Sequence, residues 1–368
     1  MQTVVIDARG YFTGGGIGRY TRNLVRELVR THDGRTRLRL LISKQHQPAD
    51  LDPSIADGAD VVVSDAAWLD ADEENRWLEG EVAGADLFHS LTGHWLPRET
   101  PSVATLHDLT ATVRPRLTGE ETRAFGKRVT DSVARARHVV AVSGSTARDA
   151  RRTFGRRTPP ITVIPEAAEP LFRPQRSRLD VLSRYHVNTD GYLLAVSALS
   201  PHKNLVRLIN AYAVSSVRVP LLLAGAERAD TPRIRQTIAD RGLQHQVSLI
   251  GCVSDDDLAM LYSGCRAFVY PSLYEGFGLP VLEAMACGAA VVASRSSSIP
   301  EIVGDAALLV DPERTRSLAA ALVRIDSDAP LRVGLRHRAL IRAASFSWPR
   351  TAAATRDVYA RVLKGRAA

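Results

Sequence analysis

The stretch Tyr270-Pro-Ser-Leu-Tyr-Glu-Gly-Phe-Gly-Leu-Pro-Val-Leu-Glu-Ala-Met-Ala-Cys-Gly288 holds two glutamates eight positions apart, with a Gly-Phe-Gly turn and a proline between them. The apolar run Ala267 to Tyr270 predicts a buried strand in front of it. Pro280 to Cys287 predicts a helix, because proline is favoured in the first helical turn and Gly288 provides a stop signal. The stretch therefore predicts a strand, a tight loop and a helix in succession.

The two glutamates, Glu275 and Glu283, fall on either side of this predicted helix N-terminus. Glu275 is expected on the loop and Glu283 near the first turn of the helix. Free backbone N–H groups and the helix dipole at that point favour an anion, above all a phosphate. Carboxylates beside it can accept hydrogen bonds from sugar hydroxyls, so the pattern outlines a nucleotide-sugar site. Each glutamate alone also has an ordinary explanation, as a dipole-complementing acid or a loop charge.

Short apolar runs alternate with helical stretches along all 368 residues, and this length favours two domains of common size. Such runs predict parallel sheets with helices on both faces. About thirteen strands are too many for one open sheet of usual size. The runs are Val4–Asp7, Leu38–Ile42, Val61–Ser64, Leu87–Ser90, Val103–His107, Val139–Ser143, Ile161–Pro165, Tyr192–Ser197, Leu221–Gly225, Val247–Ile250, Phe268–Pro271, Ala290–Ala293 and Leu308–Asp311.

The connector Pro170 to Pro174 marks the break between the two predicted domains. We expect an α/β protein with one doubly wound domain over residues 1–172 and a second over residues 173–349. The two domains are expected to face each other across a cleft, with ligands beyond the carboxyl ends of the strands. An amphipathic helix, Thr351 to Leu363, dominates the last segment, residues 350–368.

The stretch from Tyr270 to Gly288 resembles the paired-glutamate signature of retaining glycosyltransferases of family four, which have the GT-B fold of two Rossmann-like domains. The resemblance covers most of the chain and is strongest from Tyr192 to Asp311. It implies that Glu283 binds the ribose hydroxyls and Glu275 the donor sugar. It also implies that the final helix returns to the first domain. The donor-binding run that it assigns is Glu275, Gly276, Phe277, Gly278, Leu279 and Glu283.

The glycine string from Gly14 to Tyr20 follows the first predicted strand and precedes a predicted helix, Tyr20 to Arg30. Glycines let backbone N–H groups approach a phosphate closely. The spacing does not match a dinucleotide fingerprint, which disfavours a dehydrogenase. A mobile glycine lid is the structural alternative. The string resembles the N-terminal loop of the same family, which implies that the amides of Gly15 and Gly16 approach the donor diphosphate.

A His-Asp pair, His107 and Asp108, follows another predicted strand end. Such a pair suits acid–base chemistry or a polar contact, and a hydrogen-bonded structural histidine is the alternative. The family resemblance implies that His107 lies in the catalytic site near the donor sugar, with Asp108 as its support.

Lys203 lies in Pro-His-Lys-Asn, directly after the first strand of the second predicted domain. A lysine at such a turn could offset diphosphate charge, although an exposed lysine is common there. The match to the Pro-x-Lys-Asn motif of the family implies a catalytic and phosphate-binding role. Many members carry arginine where this chain has Ala198. The second cation is therefore open among Arg9, Arg19 and His202.

Two further turns carry sequence signals that bear on the site. Related sequences often have Asn-Gly or a similar turn where this chain has Glu166-Ala, which bears on the cleft wall or the hinge. The resemblance places Val253 close to the nucleobase. The following Ser254-Asp-Asp-Asp257 contains an Asp-x-Asp, for which helix N-capping is the favoured explanation over a divalent metal. We expect neither a metal nor another cofactor besides the donor.

The charge balance is basic, with 48 Lys and Arg against 40 Asp and Glu and a net charge of +8. Much of the excess falls between Arg123 and Arg157, which could contact an anionic membrane or form a solvated face. Few aromatic residues accompany it, so nucleic acid is not an expected partner. The basic residues are Arg123, Lys127, Arg128, Arg135, Arg137, Arg148, Arg151, Arg152, Arg156 and Arg157.

The start of the chain lacks a signal-peptide pattern, and no apolar run approaches the roughly 20 residues of a spanning helix. We therefore expect a cytoplasmic protein, with peripheral contact to the inner membrane face as an open option. Cys252, Cys265 and Cys287 show no metal-binding spacing and are expected to be buried thiols.

The function predicted from these features is transfer of a hexose from a nucleoside-diphosphate sugar to a hydroxyl of a glycan, a lipid-linked acceptor or a small molecule. GDP-mannose is favoured over UDP-sugars by resemblance to mannosyltransferase-type members. No well-placed nucleophile is evident, so front-face attack with retention is expected. A nucleotide-sugar epimerase of the same fold and a silent sugar-binding subunit are the alternatives. The presence of Lys203, Glu275, Glu283 and His107 together argues against the silent subunit.

Overall fold

The computed structural model describes residues 1–31, 34, 36–43, 45–64, 74–176, 179–185 and 191–365. The chain divides into two compact units. Unit 1 comprises Met1–Glu166 together with Ser347–Ala368, and unit 2 comprises Ala167–Phe346. The boundaries predicted after residues 172 and 349 lie a few residues further along the chain.

Unit 1 is built on a parallel sheet in the spatial order β3-β2-β1-β4-β5-β6-β7. Its central strands are fully buried, as the unbroken apolar runs require: Val4, Val5 and Ile6 have no exposed surface. The strands are β1 (Gln2–Asp7), β2 (Thr36–Ser43), β3 (Asp60–Ser64), β4 (Leu87–Ser90), β5 (Ser102–Leu106), β6 (His138–Ala141) and β7 (Ile161–Val163). The helices between them are α1 (Gly15–Arg30), α2 (Pro53–Gly58), α3 (Glu74–Glu81), α4 (Thr110–Val113), α5 (Glu120–Val133) and α6 (Gly144–Phe154).

Unit 2 repeats the same winding, with the spatial order β10-β9-β8-β11-β12-β13. Its helices begin with α7 (Leu179–Arg184) and continue with α8 (Leu205–Ala213), α9 (Thr231–Asp240), α10 (Asp255–Gly264), α11 (Leu279–Ala286), α12 (Ile299–Val303), α13 (Thr315–Ser327) and α14 (Ala329–Ala343). The strands are β8 (Leu193–Val196), β9 (Leu221–Ala224), β10 (Val247–Gly251), β11 (Ala267–Tyr270), β12 (Val291–Ser294) and β13 (Ala307–Val310).

The strand predictions are confirmed: each predicted apolar run overlaps one of these strands, and the described residues form sheets of seven and six strands. All pairings are parallel, so the doubly wound fold class is confirmed as well. In both sheets the chain order reverses beside the first strand, between β1 and β4 and between β8 and β11. Ligands of such sheets bind at this switch point, beyond the carboxyl ends of the strands.

The last helix, α15 (Trp348–Lys364), packs in unit 1. It begins before the predicted start at Thr351, because Pro349 fits the first turn of a helix. The Thr351 hydroxyl donates to the Pro165 carbonyl at 2.7 Å. The Tyr359 hydroxyl lies 2.6 Å from Nδ1 of His89 on β4. These contacts hold α15 against the sheet of unit 1.

The glycine string differs from its prediction as a loop. Helix α1 begins at Gly15, so Gly15 and Gly16 form its first turn and Gly14 is the N-cap. The preceding loop is ordered by Arg22, whose Nη1 donates to the carbonyls of Tyr11 and Thr13. The string is thus a helix N-terminus in this structure.

The cysteine prediction holds for two residues and is wrong for the third. Cys265 and Cys287 are buried thiols, but Cys252 is exposed. Cys252 follows the last residue of β10 in the turn before α10, where the chain has left the core. None of the helices within the described residues combines the length and apolarity that crossing a membrane requires.

Gly18 gives a test of the close packing at the start of α1. A Cβ at this buried helical position would overlap the Thr13 carbonyl oxygen. We expect Gly18→Ala to lower the free energy of unfolding by about 1–3 kcal/mol through overpacking. The measurement is urea unfolding followed by circular dichroism. The matched control is Gly80→Ala on α3, where an added Cβ meets nothing within 4 Å. Equal stability of the two variants would contradict the packing described here.

Candidate active site

Glu275 lies on the loop between β11 and α11, as predicted, and neighbouring serines fix its backbone. Its N–H donates to Oγ of Ser297 at 2.8 Å. The hydroxyl of Ser298 lies 3.0 Å from the Glu275 carbonyl oxygen and 2.6 Å from that of Phe277. Both serines come from the segment between β12 and α12, so a neighbouring strand holds the glutamate loop in place.

The Glu275 carboxylate forms an ion pair with Lys203, with Nζ 2.7 Å from Oε1. The Tyr270 hydroxyl donates to the same oxygen at 2.8 Å. Only 15% of the Lys203 side chain and 12% of the Glu275 side chain are exposed, so this is a largely buried pair. The exposed-lysine alternative for Lys203 is therefore wrong.

The protonation of this cluster follows from the pair. Burial alone would raise the pKa of Glu275, but the Lys203 ammonium, and secondarily His202, hold that pKa below its ordinary value. Burial raises the pKa of Tyr270 well above its ordinary value, with Glu275 and, more weakly, Glu283 adding to the effect. Tyr270 thus stays a neutral donor, and both predicted glutamates lie within electrostatic range of its hydroxyl.

Lys203 is positioned by the residue that follows it. It ends a short 3₁₀ helix, Pro201–Lys203, and Asn204 then adopts a left-handed conformation with φ of 62°. The Asn204 amide donates to the carbonyls of Pro271 at 3.0 Å and Pro312 at 2.8 Å. Asn204 therefore ties the loop that carries Lys203 to the loop that carries Glu275.

The N-terminus of α11 lies directly behind Glu275. Gly278, the N-cap, has φ of 115°, which favours glycine. Within the described residues, the backbone N–H groups of Gly278 and Leu279 have no protein acceptor. Pro280 follows without an N–H. The two N–H groups and the helix dipole can together receive an anion.

Glu283 lies near the first turn of α11, as predicted, but not within it. It is the fifth residue of α11, in the second turn, because the helix begins at Leu279. Its side chain is buried, and the Tyr262 hydroxyl donates to Oε2 at 3.4 Å. Dipole complementarity in the first turn therefore does not explain this acid.

The turn Cys252–Ser254 connects β10 to α10. Val253 is half-buried there. Ser254 caps α10 by accepting a hydrogen bond from the Asp257 N–H, so the capping prediction is confirmed. The Asp257 carboxylate accepts hydrogen bonds from Arg184 and Tyr185. The described part of the chain contains no group of three or more His, Cys, Asp or Glu side chains arranged to hold a metal.

In unit 1, His107 follows the end of β5 and both of its ring nitrogens have partners. Nε2 lies 2.9 Å from the Leu91 carbonyl oxygen, and Nδ1 lies 3.2 Å from Oε1 of Glu166. The Tyr20 ring meets the imidazole edge-on, with centroids 4.8 Å apart. Asp108 is not the supporting carboxylate that was predicted, because it accepts instead from the N–H of Thr110. Glu166 takes that place.

The pKa of His107 reflects these contacts. Burial would lower it, but the Glu166 carboxylate, the Leu91 carbonyl and, more weakly, Asp108 together raise it above the ordinary value. The nearby His89 shows the opposite effect, because burial lowers its pKa to about 3. His89 is held by Thr105 and by Tyr359 of α15, and it is neutral at physiological pH.

The predicted phosphate contacts of unit 1 have mixed outcomes. Gly15 and Gly16 are exposed at the N-terminus of α1, where their amides can reach a ligand. Arg9, in contrast, is fully buried and donates to Asp7 through Nε at 2.8 Å and Nη2 at 2.9 Å. Such a pair makes Arg9 a poor candidate for the second cation. His202 lies close enough to Glu275 to lower its pKa.

The predicted site residues are thus divided between the two units. Unit 1 carries His107, Gly15 and Gly16; unit 2 carries Lys203, Val253, Glu283 and the run Glu275–Leu279. Sequence reasoning missed the supporting roles of Tyr270, Ser297 and Ser298. The run of serines Ser296–Ser298 after β12 was the sequence signal that could have indicated polar support for the Glu275 loop.

Comparison with known families agrees with this architecture. Residues 184–341 match the model of the family Glycosyl transferases group 1, and residues 14–170 match Glycosyltransferase Family 4. The chain belongs to this family of glycosyltransferases, which have the GT-B fold.

Its relatives include several mannosyltransferases. O-antigen chain mannosyltransferase B of Escherichia coli is 31% identical over 280 residues, which is 74% of each chain. The serotype-specific mannosyltransferase WbdA of the same organism is 34% identical over 193 residues, 51% of this chain but 24% of that protein. The MMP alpha-(1->4)-mannosyltransferase of Mycolicibacterium hassiacum is 33% identical over 233 residues, 61% of this chain and 54% of the relative. The match therefore spans about a quarter of WbdA.

Solved structures share the fold at low sequence identity. Sucrose-phosphate synthase from Thermosynechococcus elongatus superposes with a TM-score of 0.78 at 21% identity, over 99% of this chain and 100% of the other. Anabaena HepE, solved in complex with UDP and glucose, gives a TM-score of 0.75 at 19% identity, over 98% and 100%. At these identities the likeness establishes the fold.

The ion pair of Lys203 predicts a pH-dependent stability. In the native protein the lowered pKa of Glu275 contributes stability above its unfolded pKa, and this contribution is lost as the pH falls through the folded pKa. Lys203→Met leaves a buried carboxylate without its cation and should cost roughly 3 kcal/mol near pH 7. Without Lys203, burial raises the pKa of Glu275, so the deficit should shrink as the pH falls through that raised pKa and Glu275 takes up a proton.

Urea unfolding at several pH values measures this deficit. Arg235→Met is the control, because the Arg235–Glu227 pair in the same unit is 60% exposed on both sides and exposed pairs contribute little. A deficit for Lys203→Met that stays constant with pH would contradict the coupling to Glu275.

Proposed function

We propose that this glycosyltransferase moves a hexose from a nucleoside-diphosphate sugar to an acceptor hydroxyl, with GDP-mannose as the leading donor. The observation that carries the proposal is the Lys203–Glu275 pair in front of the α11 N-terminus. A cation, two N–H groups and carboxylates beside them suit a sugar joined to a diphosphate. The mannosyltransferase relatives support mannose as the sugar. The UDP complex of HepE keeps UDP-sugars as the competing donors.

The chemical demand is the negative charge that grows on the leaving phosphate. Fixed donors aimed at that charge lower the barrier more than donors that bind the ground state. We assign this task to Lys203 and to the N–H groups of Gly278 and Leu279, without a metal. Gly15 and Gly16 add amides from unit 1 in this proposal.

The glutamates hold the donor rather than exchange protons. Glu275 is already charged and paired with Lys203, so it can accept hydrogen bonds from sugar hydroxyls without taking up a proton. Glu283 is assigned to the ribose hydroxyls, with Gly276 and Phe277 lining the donor site and Val253 beside the base. His107 is assigned to the catalytic site near the transferred sugar.

The stereochemical course proposed is retention by front-face attack, in which the leaving phosphate accepts the proton of the acceptor hydroxyl. Double displacement needs a carboxylate on the opposite face of the sugar, as in retaining glycosidases.

The acceptor class is a glycan, a lipid-linked glycan or a small molecule. Nine of the ten basic residues between Arg123 and Arg157 are exposed, which supports contact with an anionic membrane.

A donor screen tests the proposal directly. GDP-mannose should raise the midpoint of thermal unfolding more than GDP-glucose, UDP-glucose or UDP-N-acetylglucosamine at equal concentration. With an accepted glycan, release of GDP should follow, and NMR of the product should show the anomeric configuration of the donor. Product formed without any acceptor would indicate the epimerase instead. No stabilisation by any nucleotide sugar would refute the donor site.

Two variants separate binding from chemistry in the same site. Lys203→Ala should lower kcat by roughly 100-fold, as for loss of one donor to a developing anion, with a smaller effect on donor binding. Glu283→Ala should mainly raise the donor KM, by about tenfold or more, because a charged hydrogen bond to the ribose is lost. Glu313→Ala, an exposed glutamate of unit 2, is the control. An effect of Glu283→Ala confined to kcat would contradict the ribose assignment.

A further inference from the structure

We infer that Glu166 is a positioning residue that keeps His107 as a doubly hydrogen-bonded cation, so that His107 contributes fixed charge to glycosyl transfer rather than accepting or donating a proton. The inference rests on the proposed place of His107 in the catalytic site. It concerns two side chains of unit 1 whose contact joins positions 59 residues apart in the sequence.

The hydrogen-bond partners of His107 determine where its protons lie. A carbonyl oxygen can only accept, so the contact of 2.9 Å to Leu91 requires a proton on Nε2. An ionised carboxylate can also only accept, so the contact of 3.2 Å from Glu166 requires a proton on Nδ1. An imidazole with protons on both nitrogens is an imidazolium. Its charge is compensated by Glu166, which is 4% exposed in its side chain.

The remaining surroundings of the ring do not alter this balance. Tyr20 on α1 packs its ring edge-on against His107. Burial raises the pKa of Tyr20, although the hydrogen bond with Thr105 opposes this rise. Tyr20 is therefore uncharged. His89 on β4 is neutral, because burial lowers its pKa to about 3. Asp108 also acts on His107 and favours the cation. Both carboxylates that act on the ring, Glu166 and Asp108, therefore support the imidazolium.

A role in proton transfer would require one of these two bonds to break. Either Nδ1 would have to lose its hydrogen bond to the buried Glu166 carboxylate, or Nε2 would have to lose its hydrogen bond to the Leu91 carbonyl. Each loss leaves a buried polar atom without a partner. A fixed charge needs no such movement. A cation held in place before the reaction can act on charge that develops in the transition state without reorganisation.

Glu166 is well placed for this role, because its buried carboxylate lies 3.2 Å from Nδ1 of His107. The backbone of the preceding residue is fixed, because the Thr351 hydroxyl of α15 donates to the Pro165 carbonyl. Glu166 is also the last residue of unit 1 before the chain passes into unit 2. The carboxylate is thus held from the backbone as well as by His107.

The test is the titration of His107 by NMR of protein with labelled histidine, in the wild type and in Glu166→Gln. The signal is assigned with His107→Gln. Glutamine has the same shape as glutamate but no charge, so the pKa of His107 should fall by about one unit or more, a tenfold change in proton affinity. Glu166→Asp, which keeps the charge, should retain part of the difference. Glu120→Gln on the exposed side of α5 should leave the titration unchanged.

The kinetic counterpart is the pH profile of kcat, measured as release of GDP from GDP-mannose or with whichever donor the screen selects. Because Glu166 raises the pKa of His107, the cation is present below that pKa and lost above it. In Glu166→Gln the alkaline limb should therefore move to lower pH by the shift seen in NMR. The donor KM should change little, and acidification should restore turnover.

The outcomes that overturn the inference are distinct from those that overturn the proposed function. An unchanged His107 titration in Glu166→Gln, or a neutral His107 in the wild type at pH 7, overturns it. A shifted titration with an unshifted kcat profile overturns the part that concerns the reaction. Full turnover of His107→Gln instead removes His107 from the proposed site and leaves the donor screen unaffected.

Discussion

The ion pair between Lys203 and Glu275 is the contact on which the candidate site of unit 2 depends. It joins the loops after β8 and β11, the two strands between which the winding of the sheet reverses. The reversal separates the chains that leave these strands and opens space at the carboxyl edge. Both side chains are largely buried there. Either charge without its partner would therefore destabilise the folded protein. The same pairing keeps Glu275 ionised and holds the Lys203 ammonium beside the loop that leads into α11.

Unit 1 also has a buried pair of opposite charges at the switch point of its sheet. Asp7 ends β1 and is paired with the buried Arg9, while Leu91 follows β4 and meets His107. Burial would raise the pKa of Asp7, but the Arg9 guanidinium lowers it below its ordinary value. In each unit, therefore, a buried acid is kept charged beside a cation at the switch point. Paired charges fix side chains more firmly than solvated ones, and such rigidity is what preorganised transfer chemistry requires.

The fold and most of the site loops follow from local sequence patterns. The strands were predictable because buried parallel strands are continuous apolar runs, and α11 because Pro280 and Gly288 bound it. The errors have different causes. Asp108 was the near neighbour of His107, but the tertiary fold brings the distant Glu166 to the ring instead. Glu283 lies one position further into α11 than predicted, because the helix begins at Leu279, after the N-cap Gly278.

The two points at which the chain passes between units contact one cluster in unit 1. Glu166, the last residue before the first passage, bonds to His107. Trp348, just after the second passage, packs against Tyr20 with centroids 5.9 Å apart, and Tyr20 packs against His107. Tyr20 also bonds to Thr105, which His89 and Tyr359 connect to α15. Both ends of the chain that belong to unit 1 at these passages therefore contribute contacts to the surroundings of His107, either directly or through Tyr20.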